Sequence, residues 1–270
     1  MPPTALATPD EFDTERRFGG LRRLYGDAAY ARLRTLTVAV VGVGGVGSWV
    51  AEALARSGVA GLVLIDLDHV AESNINRQVQ ALGRTLGQAK VLALRERIAD
   101  IHPGCHVDMV EDFVEPGNWP ALLPRSVDAL VDACDQVRAK AALAAWARDA
   151  GVPAVCVGAA GGKRQPQRVE VGDLAEVTHD PLLASLRQRL RRDHGAPRQG
   201  RVGVTCVFSR EAVQRPEAVC AAEASADDGG TAGMDGSLNC HGYGSSVMVT
   251  AAFGLAAAAA AIEGVLIKRL

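Results

Sequence analysis

A glycine-rich turn between an apolar run and a helical run limits the fold of this chain more than any other feature. Residues 36–43 are apolar almost throughout, which is typical of a strand buried on both faces of a sheet. Residues 46–57 have helical spacing. The turn carries the glycines Gly42, Gly44, Gly45 and Gly47. This order of strand, turn and helix predicts a loop whose backbone N–H groups bind a phosphate at the N-terminus of the helix.

Strands and helices alternate regularly from residue 36 to residue 160. Short apolar runs, which predict buried strands, are separated by amphipathic runs of helical length. This alternation predicts an α/β fold with a Rossmann-like, doubly wound and mainly parallel sheet, to which the C-terminal part adds an extension. The further predicted elements are strands at 62–67, 107–114, 127–133, 152–158 and 167–174, and helices at 90–101, 138–150 and 181–192.

The sequence divides into three parts. We expect residues 1–35 to form an N-terminal arm and helix, and residues 36–160 to form the nucleotide-binding core. We expect residues 161–270 to form a C-terminal part with a basic segment, a mobile crossover loop at about 210–240 and a C-terminal helix. The basic segment, 161–201, holds nine Lys or Arg against five Asp or Glu, although the whole chain has a net charge of −2. A nucleic-acid partner would therefore need a local basic patch.

Composition also bears on where the protein is found. No two of the six cysteines form a C-x-x-C pair, so we expect no structural zinc site and reduced thiols in the cytoplasm. The N-terminal residues lack the basic flank and apolar run of a signal peptide. Residues 242–262 carry no charge and are long enough to span a membrane. Because most of them are Ala, Gly or Ser, which anchor poorly in lipid, we expect a buried C-terminal helix without membrane contact.

Charged residues after the second strand distinguish between nucleotides. Asp66 lies at the end of that strand, where a carboxylate can accept hydrogen bonds from ribose hydroxyls. A NAD-binding oxidoreductase would share this feature, but it would not need Arg77 and Lys90, which can neutralise the β- and γ-phosphates of a triphosphate. Asp135 follows a later strand and could hold Mg²⁺ against those phosphates. The sequence therefore favours ATP with Mg²⁺ over a nicotinamide cofactor.

Five motifs in one order resemble those of the ubiquitin-activating-like adenylating enzymes. They are GxGGxG, D-x-D-x-V, S-N-x-N-R-Q, G-x-x-K and D-x-x-D, and they span about 95 residues. The resemblance implies that Asp66 binds the ribose and that Asp135 positions both Mg²⁺ and the reacting α-phosphate. It places Arg77 and Lys90 at the other phosphates. The remaining residues that it assigns to the nucleotide are Asp68, Asn74 and Gln78.

The same resemblance implies a homodimer. Enzymes of this group are usually dimers in which an arginine near the N-terminus crosses into the active site of the partner. Arg17 precedes the first strand at the corresponding place. We therefore expect Arg17 to assist catalysis in the other subunit.

A narrower resemblance, to the bacterial tRNA threonylcarbamoyladenosine dehydratases, covers about nine tenths of the chain. It implies that the threonyl carboxylate of the modified base attacks the α-phosphate of ATP. The carbamoyl oxygen of the same base would then close a ring and expel AMP. Residues 211–240 match this group least. The segments that carry the resemblance are 17–26, 43–49, 158–163, 180–182 with 186–187, 206–209, 248–250 and 253–254.

The resemblance also bears on partners. A tRNA substrate would need basic contacts, for which the candidates are Lys163, Arg164, Arg168, Arg187 and Arg191. Cys240 lies in a glycine-rich stretch after the crossover loop. A cysteine there could be catalytic, through a thioester or sulfur transfer, which makes a cysteine desulfurase or sulfur-acceptor system a candidate partner. The alternative is a small buried cysteine without reactivity.

Two other functions stay open at this point. The first is adenylation of the C-terminus of a sulfur-carrier or ubiquitin-like protein, which would use the same ATP site. Activators of sulfur carriers typically have two C-x-x-C pairs, and their absence here argues against it. The second is a scaffold for a sulfur relay that needs ATP only for its shape. The presence of Arg77, Lys90 and Asp135 argues against a scaffold.

Overall fold

A computed structural model describes residues 12–214 and 243–267, and seven strands form one sheet in it. The strands are β1 (Thr37–Val41), β2 (Gly61–Ile65), β3 (His106–Val110), β4 (Ala129–Asp132), β5 (Ala154–Val157), β6 (Val169–Asp173) and β7 (Thr205–Ser209). Their order is β3-β2-β1-β4-β5-β7-β6, and every neighbouring pair is parallel except β6 and β7. The predicted α/β fold with a doubly wound, mainly parallel sheet is confirmed.

Helices cover both faces of this sheet. The α-helices of the described residues are α1 (Thr14–Tyr25), α2 (Asp27–Leu33), α3 (Gly47–Arg56), α4 (Lys90–Ile101), α5 (Val137–Ala150), α6 (Pro181–Asp193) and α7 (Val247–Ile267). Val38 and Val40 of β1 pack with residues of α3, α4 and α7, whereas Ala39 and Val41 pack with α5 on the opposite face. Since β1 is covered on both faces, its sequence is an unbroken apolar run.

The direction of winding reverses beside β1. This strand pairs with β2 on one side and with β4 on the other. In doubly wound sheets, ligands bind in the crevice that this reversal opens at the carboxyl ends of the strands. We call this side of the sheet the carboxyl edge. The turns that follow β1 and β4 lie side by side there, because a β-carbon on Gly42 would be only 3.0 Å from the carbonyl of Ala133.

Strand β7 was not predicted from the sequence. This strand has five residues, too few to show a clear periodicity. It lies between β5 and β6 and runs parallel to β5. The predicted strand at 167–174, which is β6, is therefore the outermost strand of the sheet and runs antiparallel to β7. As a result, the chain that follows Ser209 emerges at the carboxyl edge.

The C-terminal helix α7 packs on the sheet beside α3. Its span Val247–Leu266 is long and apolar enough to cross a membrane, but 56% of the most apolar window is buried inside the protein. Phe253 is completely buried. Gly254 allows a close approach, since a β-carbon on it would lie 2.6 Å from Cβ of Trp49 in α3. The prediction of a buried helix against the sheet is therefore confirmed.

Two substitutions in α7 test this packing. Phe253→Ala should lower the free energy of unfolding by roughly 3–5 kcal/mol, because it leaves a cavity under the helix. Leu255→Ala, on the face where the leucine is 52% exposed, should change it by less than about 0.5 kcal/mol. Urea unfolding of the two variants measures both values. Equal losses of unfolding free energy in the two variants would show that α7 does not pack on the sheet by the face that carries Phe253.

Candidate nucleotide site

The turn after β1 leaves no space for side chains at two of its glycines. Gly42 has a φ of +79°, which disfavours any residue with a β-carbon. A β-carbon on Gly47 would lie 1.8 Å from the carbonyl oxygen of Gly42, closer than two heavy atoms that are not bonded to each other can approach. Gly47 begins α3, so the turn lies at a helix N-terminus. Among the described residues, the amides of Gly44 and Gly45 donate no hydrogen bond, which leaves them available to an anion.

Asp66, just after β2, ties the second strand to this turn. Its carboxylate accepts hydrogen bonds from the backbone N–H of Val43 at 2.8 Å and of Asp68 at 2.9 Å. Burial raises the pKa of Asp66, although the nearby Lys90 ammonium and these two N–H groups oppose the shift. The carboxylate therefore holds the turn in place and keeps acceptor capacity toward the carboxyl edge.

Lys90 reaches the same place from the start of α4. Its Nζ lies 2.6 Å from Oδ2 of Asp68 and 4.0 Å from Oδ1 of Asp66. The lysine side chain is only 8% exposed, whereas the Asp68 side chain is 55% exposed. The Lys90 backbone N–H also donates to the carbonyl of Asp68, so the two predicted motifs are in direct contact.

The segment 73–78 covers the glycine turn. Oδ1 of Asn74 accepts from the Ala71 amide, which stabilises the tight turn that presents the next residues. A β-carbon on Gly45 would lie 3.4 Å from Cδ of Arg77, so the arginine side chain lies against the glycine turn. Its guanidinium donates to the carbonyl of Ser73 and to Oδ1 of Asn76, the latter at 3.0 Å. The structure thus brings the predicted Arg77 to the predicted phosphate loop.

Asp135 lies in the turn between β4 and α5, beside the glycine turn. It is half-buried, and its carboxylate has no hydrogen-bond partner within residues 12–214 and 243–267. In that part of the chain, no three His, Cys, Asp or Glu side chains are close enough together to hold a metal by themselves. A hard cation at this place would therefore have Asp135 as its candidate protein ligand and would need further oxygen ligands from outside these side chains.

A buried ion pair positions the turn that carries Asp135. Oδ2 of Asp132 lies 3.1 Å from Nζ of Lys140, and both side chains are completely buried. Burial alone would lower the pKa of Lys140, but the Asp132 carboxylate raises it above its ordinary value. Oδ1 of Asp132 also accepts from the amide and the thiol of Cys134, at 3.2 and 2.9 Å. Burial raises the pKa of Cys134, so this thiol stays protonated.

Two of the five predicted RNA contacts already bind other groups of the protein. Lys163 is wrong as an RNA contact because its ammonium is bound in the interior, whereas Arg187 is half-buried and shares its guanidinium with backbone carbonyls. Nζ of Lys163 donates to the carbonyls of Ser209 at 3.1 Å and Glu211 at 2.9 Å, and the residue is buried. Arg187 donates to the carbonyls of Leu174 and Val177 at 2.9 and 3.0 Å. Both side chains fasten loops of the C-terminal part. The other three candidates are at least partly exposed: Arg164, Arg168 and Arg191.

Arg17 lies away from the carboxyl edge of its own chain. Its guanidinium donates to the carbonyls of Asp100 and Ile101, at 2.8 and 2.7 Å, and so caps the C-terminal end of α4. Its predicted role in a partner subunit stays a prediction. Cys240 lies outside the described residues, so its predicted reactivity also stays a prediction.

Sequence reasoning missed two buried groups at this site. Lys140 could have been found, because it is the only lysine in a helix whose buried side is otherwise alanine and leucine. Gln80 carried no such signal. Its Nε2 donates to the carbonyl of Val43 at 2.9 Å and to Oε1 of Gln78 at 3.2 Å. A glutamine two residues after a motif looks like any surface glutamine in the sequence.

The buried ion pair can be tested through stability. Lys140→Met should lower the free energy of unfolding by roughly 3–5 kcal/mol, because it leaves the Asp132 carboxylate buried without a counter-ion. Asp132→Asn combined with Lys140→Met should recover more than half of that loss, since no unpaired charge is then buried. Urea unfolding of the wild type, of Lys140→Met and of the double variant measures the three free energies. If the double variant is no more stable than Lys140→Met, the unpaired charge is not the cause.

Comparison with known proteins places this chain in a family. The model of the ThiF family matches residues 18–268. The chain is 44% identical to the tRNA threonylcarbamoyladenosine dehydratase of Escherichia coli K12 over 258 residues, which are 94% of each chain. It is 38% identical to the Haemophilus influenzae protein of the same name over 269 residues, which are 98% of each.

Solved structures agree with this placement. The crystal structure of the E. coli tRNA N6-threonylcarbamoyladenosine dehydratase in complex with ATP matches with a TM-score of 0.82 and 41% identity, over 94% of this chain and 95% of that one. The complex of that protein with AMP matches with a TM-score of 0.81, over 94% and 96% of the two chains. The chain therefore belongs to the ThiF family, and the two relatives named above, which it matches over nearly their whole length, are tRNA threonylcarbamoyladenosine dehydratases.

Proposed function

We propose that this protein uses ATP to dehydrate N6-threonylcarbamoyladenosine in the anticodon loop of tRNA, which closes a ring on the modified base. One observation carries the proposal. The E. coli dehydratase that was crystallised with ATP matches 94% of this chain with a TM-score of 0.82. In this chain, a glycine turn, an acid and two cations meet at the carboxyl edge of the same sheet.

The site has separate places for the phosphates and for the ribose of ATP. The free amides of Gly44 and Gly45 at the start of α3 bind phosphate oxygens. Asp66 accepts hydrogen bonds from the ribose hydroxyls. Arg77, against the glycine turn, and Lys90, beside Asp66, neutralise the β- and γ-phosphates. Mg²⁺, held by Asp135 together with the phosphates, would add positive charge where pyrophosphate leaves.

The first chemical step forms an acyl adenylate. The threonyl carboxylate of the modified base attacks the α-phosphorus of ATP, and the bond to the β-phosphate oxygen breaks to release pyrophosphate. Negative charge builds up on the phosphates in this step. Cations that are fixed before the reaction stabilise such charge without reorganising during it. Arg77 meets this condition, because hydrogen bonds to Ser73 and Asn76 hold its guanidinium in place.

The second step closes the ring. The carbamoyl oxygen attacks the activated carbonyl carbon, and the bond to AMP breaks. The oxygen lost from the carboxylate leaves with AMP and a carbamoyl nitrogen gives up its proton, so the base, counted as the free acid, loses one water in total. Because nucleophile and electrophile belong to the same nucleoside, proximity supplies much of the rate enhancement. This scheme requires no covalent cysteine, and Cys134 is protonated in any case.

The tRNA backbone would bind to the exposed side of α6. An open groove of about 500 Å³ is lined there by Gln188, Arg191, Arg192 and Arg198. Arg192 pairs with Asp193 at 2.8 Å, and Nε of Arg191 donates to the carbonyl of Pro197. The other donors of Arg191 have no partner within the part of the chain that the structure describes. We therefore propose Arg191 and Arg198, with the exposed Arg164 and Arg168, as phosphate contacts.

Assembly and location follow from the same family. We propose a homodimer in the cytoplasm, with Arg17 donated to the partner's site. Arg17 would have to leave the carbonyls of Asp100 and Ile101, and dimerisation would have to compensate for those two hydrogen bonds. A cysteine desulfurase or sulfur-acceptor partner would depend on Cys240.

Mass spectrometry tests the reaction directly. The protein is incubated with Mg-ATP and tRNA that carries N6-threonylcarbamoyladenosine, and the digested RNA should show a nucleoside that is lighter by one water. The loss should require ATP. Asp135→Ala should slow it by roughly a hundredfold or more, because it removes the metal ligand and leaves the fold intact.

The same samples separate the two activities. No change in mass, together with ATP–pyrophosphate exchange that appears only when a Gly-Gly-ended carrier protein is added, would contradict the tRNA reaction. It would establish adenylation of a carrier protein instead.

The salt dependence of tRNA binding tests the groove on α6. Arg191→Ala with Arg198→Ala should weaken binding and should lower the slope of log Kd against log salt concentration by roughly 0.7–0.9 for each phosphate that is no longer neutralised. Arg95→Ala is the control, since Arg95 is exposed on α4, which packs on the other face of the sheet. An equal effect of Arg95→Ala would show that general charge, and no specific groove, determines binding.

A further inference from the structure

Gln80 connects the backbone of the glycine turn to the side chain of Gln78. Gln80 is 1% exposed. Its Nε2 lies 2.9 Å from the carbonyl oxygen of Val43, between Gly42 and Gly44, and 3.2 Å from Oε1 of Gln78. No backbone hydrogen bond joins Val43 to Gln78 or Gln80. This side chain is therefore a direct link between the turn and the segment that covers it.

The carbonyl of Val43 determines the orientation of the side-chain amides of both Gln80 and Gln78. A carbonyl oxygen can only accept, so the Gln80 atom beside it has to be the nitrogen. The second N–H of that nitrogen needs another acceptor, which is Oε1 of Gln78. Oε1 of Gln80 is left buried and without a donor among the described residues. A buried acceptor without a partner is costly, so the two contacts of Nε2 outweigh it.

The contact with Gln80 also fixes the direction of the side-chain nitrogen of Gln78. Because its oxygen faces Gln80, its Nε2 faces the glycine turn, 3.9 Å from where a β-carbon on Gly44 would lie. Gln78 is itself 5% exposed. An amide N–H₂ held there is a donor for a phosphate oxygen, whereas the reversed amide would present a repelling oxygen.

We propose that Gln80 is a positioning residue for the nucleotide: it holds the Gln78 amide so that the nitrogen, and never the oxygen, faces the phosphates. This inference rests on the proposed use of ATP. It assigns to Gln80 no contact with ATP and no part in the chemical steps. It predicts that the effect of Gln80 on ATP binding passes through Gln78.

Calorimetric titration with Mg-ATP in the absence of tRNA tests this role. Gln80→Met should raise the Kd for ATP roughly tenfold, the weight of one hydrogen bond to a charged group. Gln80→Glu keeps the shape but removes the donor, so Gln78 should turn around and Kd should rise at least as much. In a Gln78→Ala background, Gln80→Met should add less than twofold. A full tenfold rise in that background would overturn the proposal.

Thr85→Val is the matched control for loss of stability. Oγ1 of Thr85 donates to the carbonyl of Gln80 at 2.7 Å and accepts from the Leu82 amide at 2.9 Å, so the variant loosens the same segment. It leaves the Gln78 amide untouched. Thr85→Val should lower the melting temperature and change Kd less than twofold, and an increase equal to that of Gln80→Met would overturn the proposal.

The titration also separates this role from the proposed function. A wild-type protein that binds ATP with a Kd unaffected by Gln80→Met would overturn the role of Gln80 alone. A wild-type protein that does not bind ATP would overturn the proposed function, and the role of Gln80 with it.

Discussion

The close approach of two backbone segments at Gly42 and Gly47 is the constraint on which the site depends. The α-carbon of Gly47 lies so close to the Gly42 carbonyl that a β-carbon would overlap the oxygen, at 1.8 Å. This contact brings the start of α3 directly onto the end of β1 and turns free amides toward the crevice. Elements that meet the turn secure it: Asp66 holds Val43 from β2, and α7 packs on α3 through Gly254. The C-terminal helix thus supports the glycine turn through its packing on α3.

The sequence predicted that the core residues of this site lie close together because the signals that place them are local. The glycine turn, Asp66, Lys90 and Asp135 each follow a predicted strand or begin a predicted helix, and parallel strands bring such positions to one edge. The cations of the C-terminal part were harder to place. Lys163 and Arg187 bind backbone carbonyls up to 48 residues away in the chain, and no local pattern marks a carbonyl as an acceptor. β7 was missed for a related reason: its place depends on pairing with β5 and β6, and its five residues show no period of their own.

The site contains two lysine–aspartate ion pairs that differ in burial. Burial decides which of the two pairs is permanent and which can exchange partners. Asp132 and Lys140 are both 0% exposed at 3.1 Å, and breaking such a pair costs roughly 3–5 kcal/mol. Lys90 lies closer to Asp68, at 2.6 Å, but Asp68 is 55% exposed, and pairs with an exposed partner contribute only about 0–1 kcal/mol. Distance alone would rank the two pairs the wrong way round. The buried pair supports the turn of Asp135, whereas the exposed one leaves Lys90 able to change partners.

This difference agrees with the proposed reaction. A phosphate that approaches Lys90 competes with a hydrated carboxylate for one ammonium group, and Asp68 can return to water at little cost because more than half of it is already exposed. Asp66, 4.0 Å from the same ammonium, stays bound to two backbone amides while this happens. The proposed ribose acid, Asp66, and the proposed phosphate cation, Lys90, can therefore act together, although they carry opposite charges in one small crevice. Had Asp68 been as buried as Asp132, Lys90 would have been held away from the phosphates by its own protein.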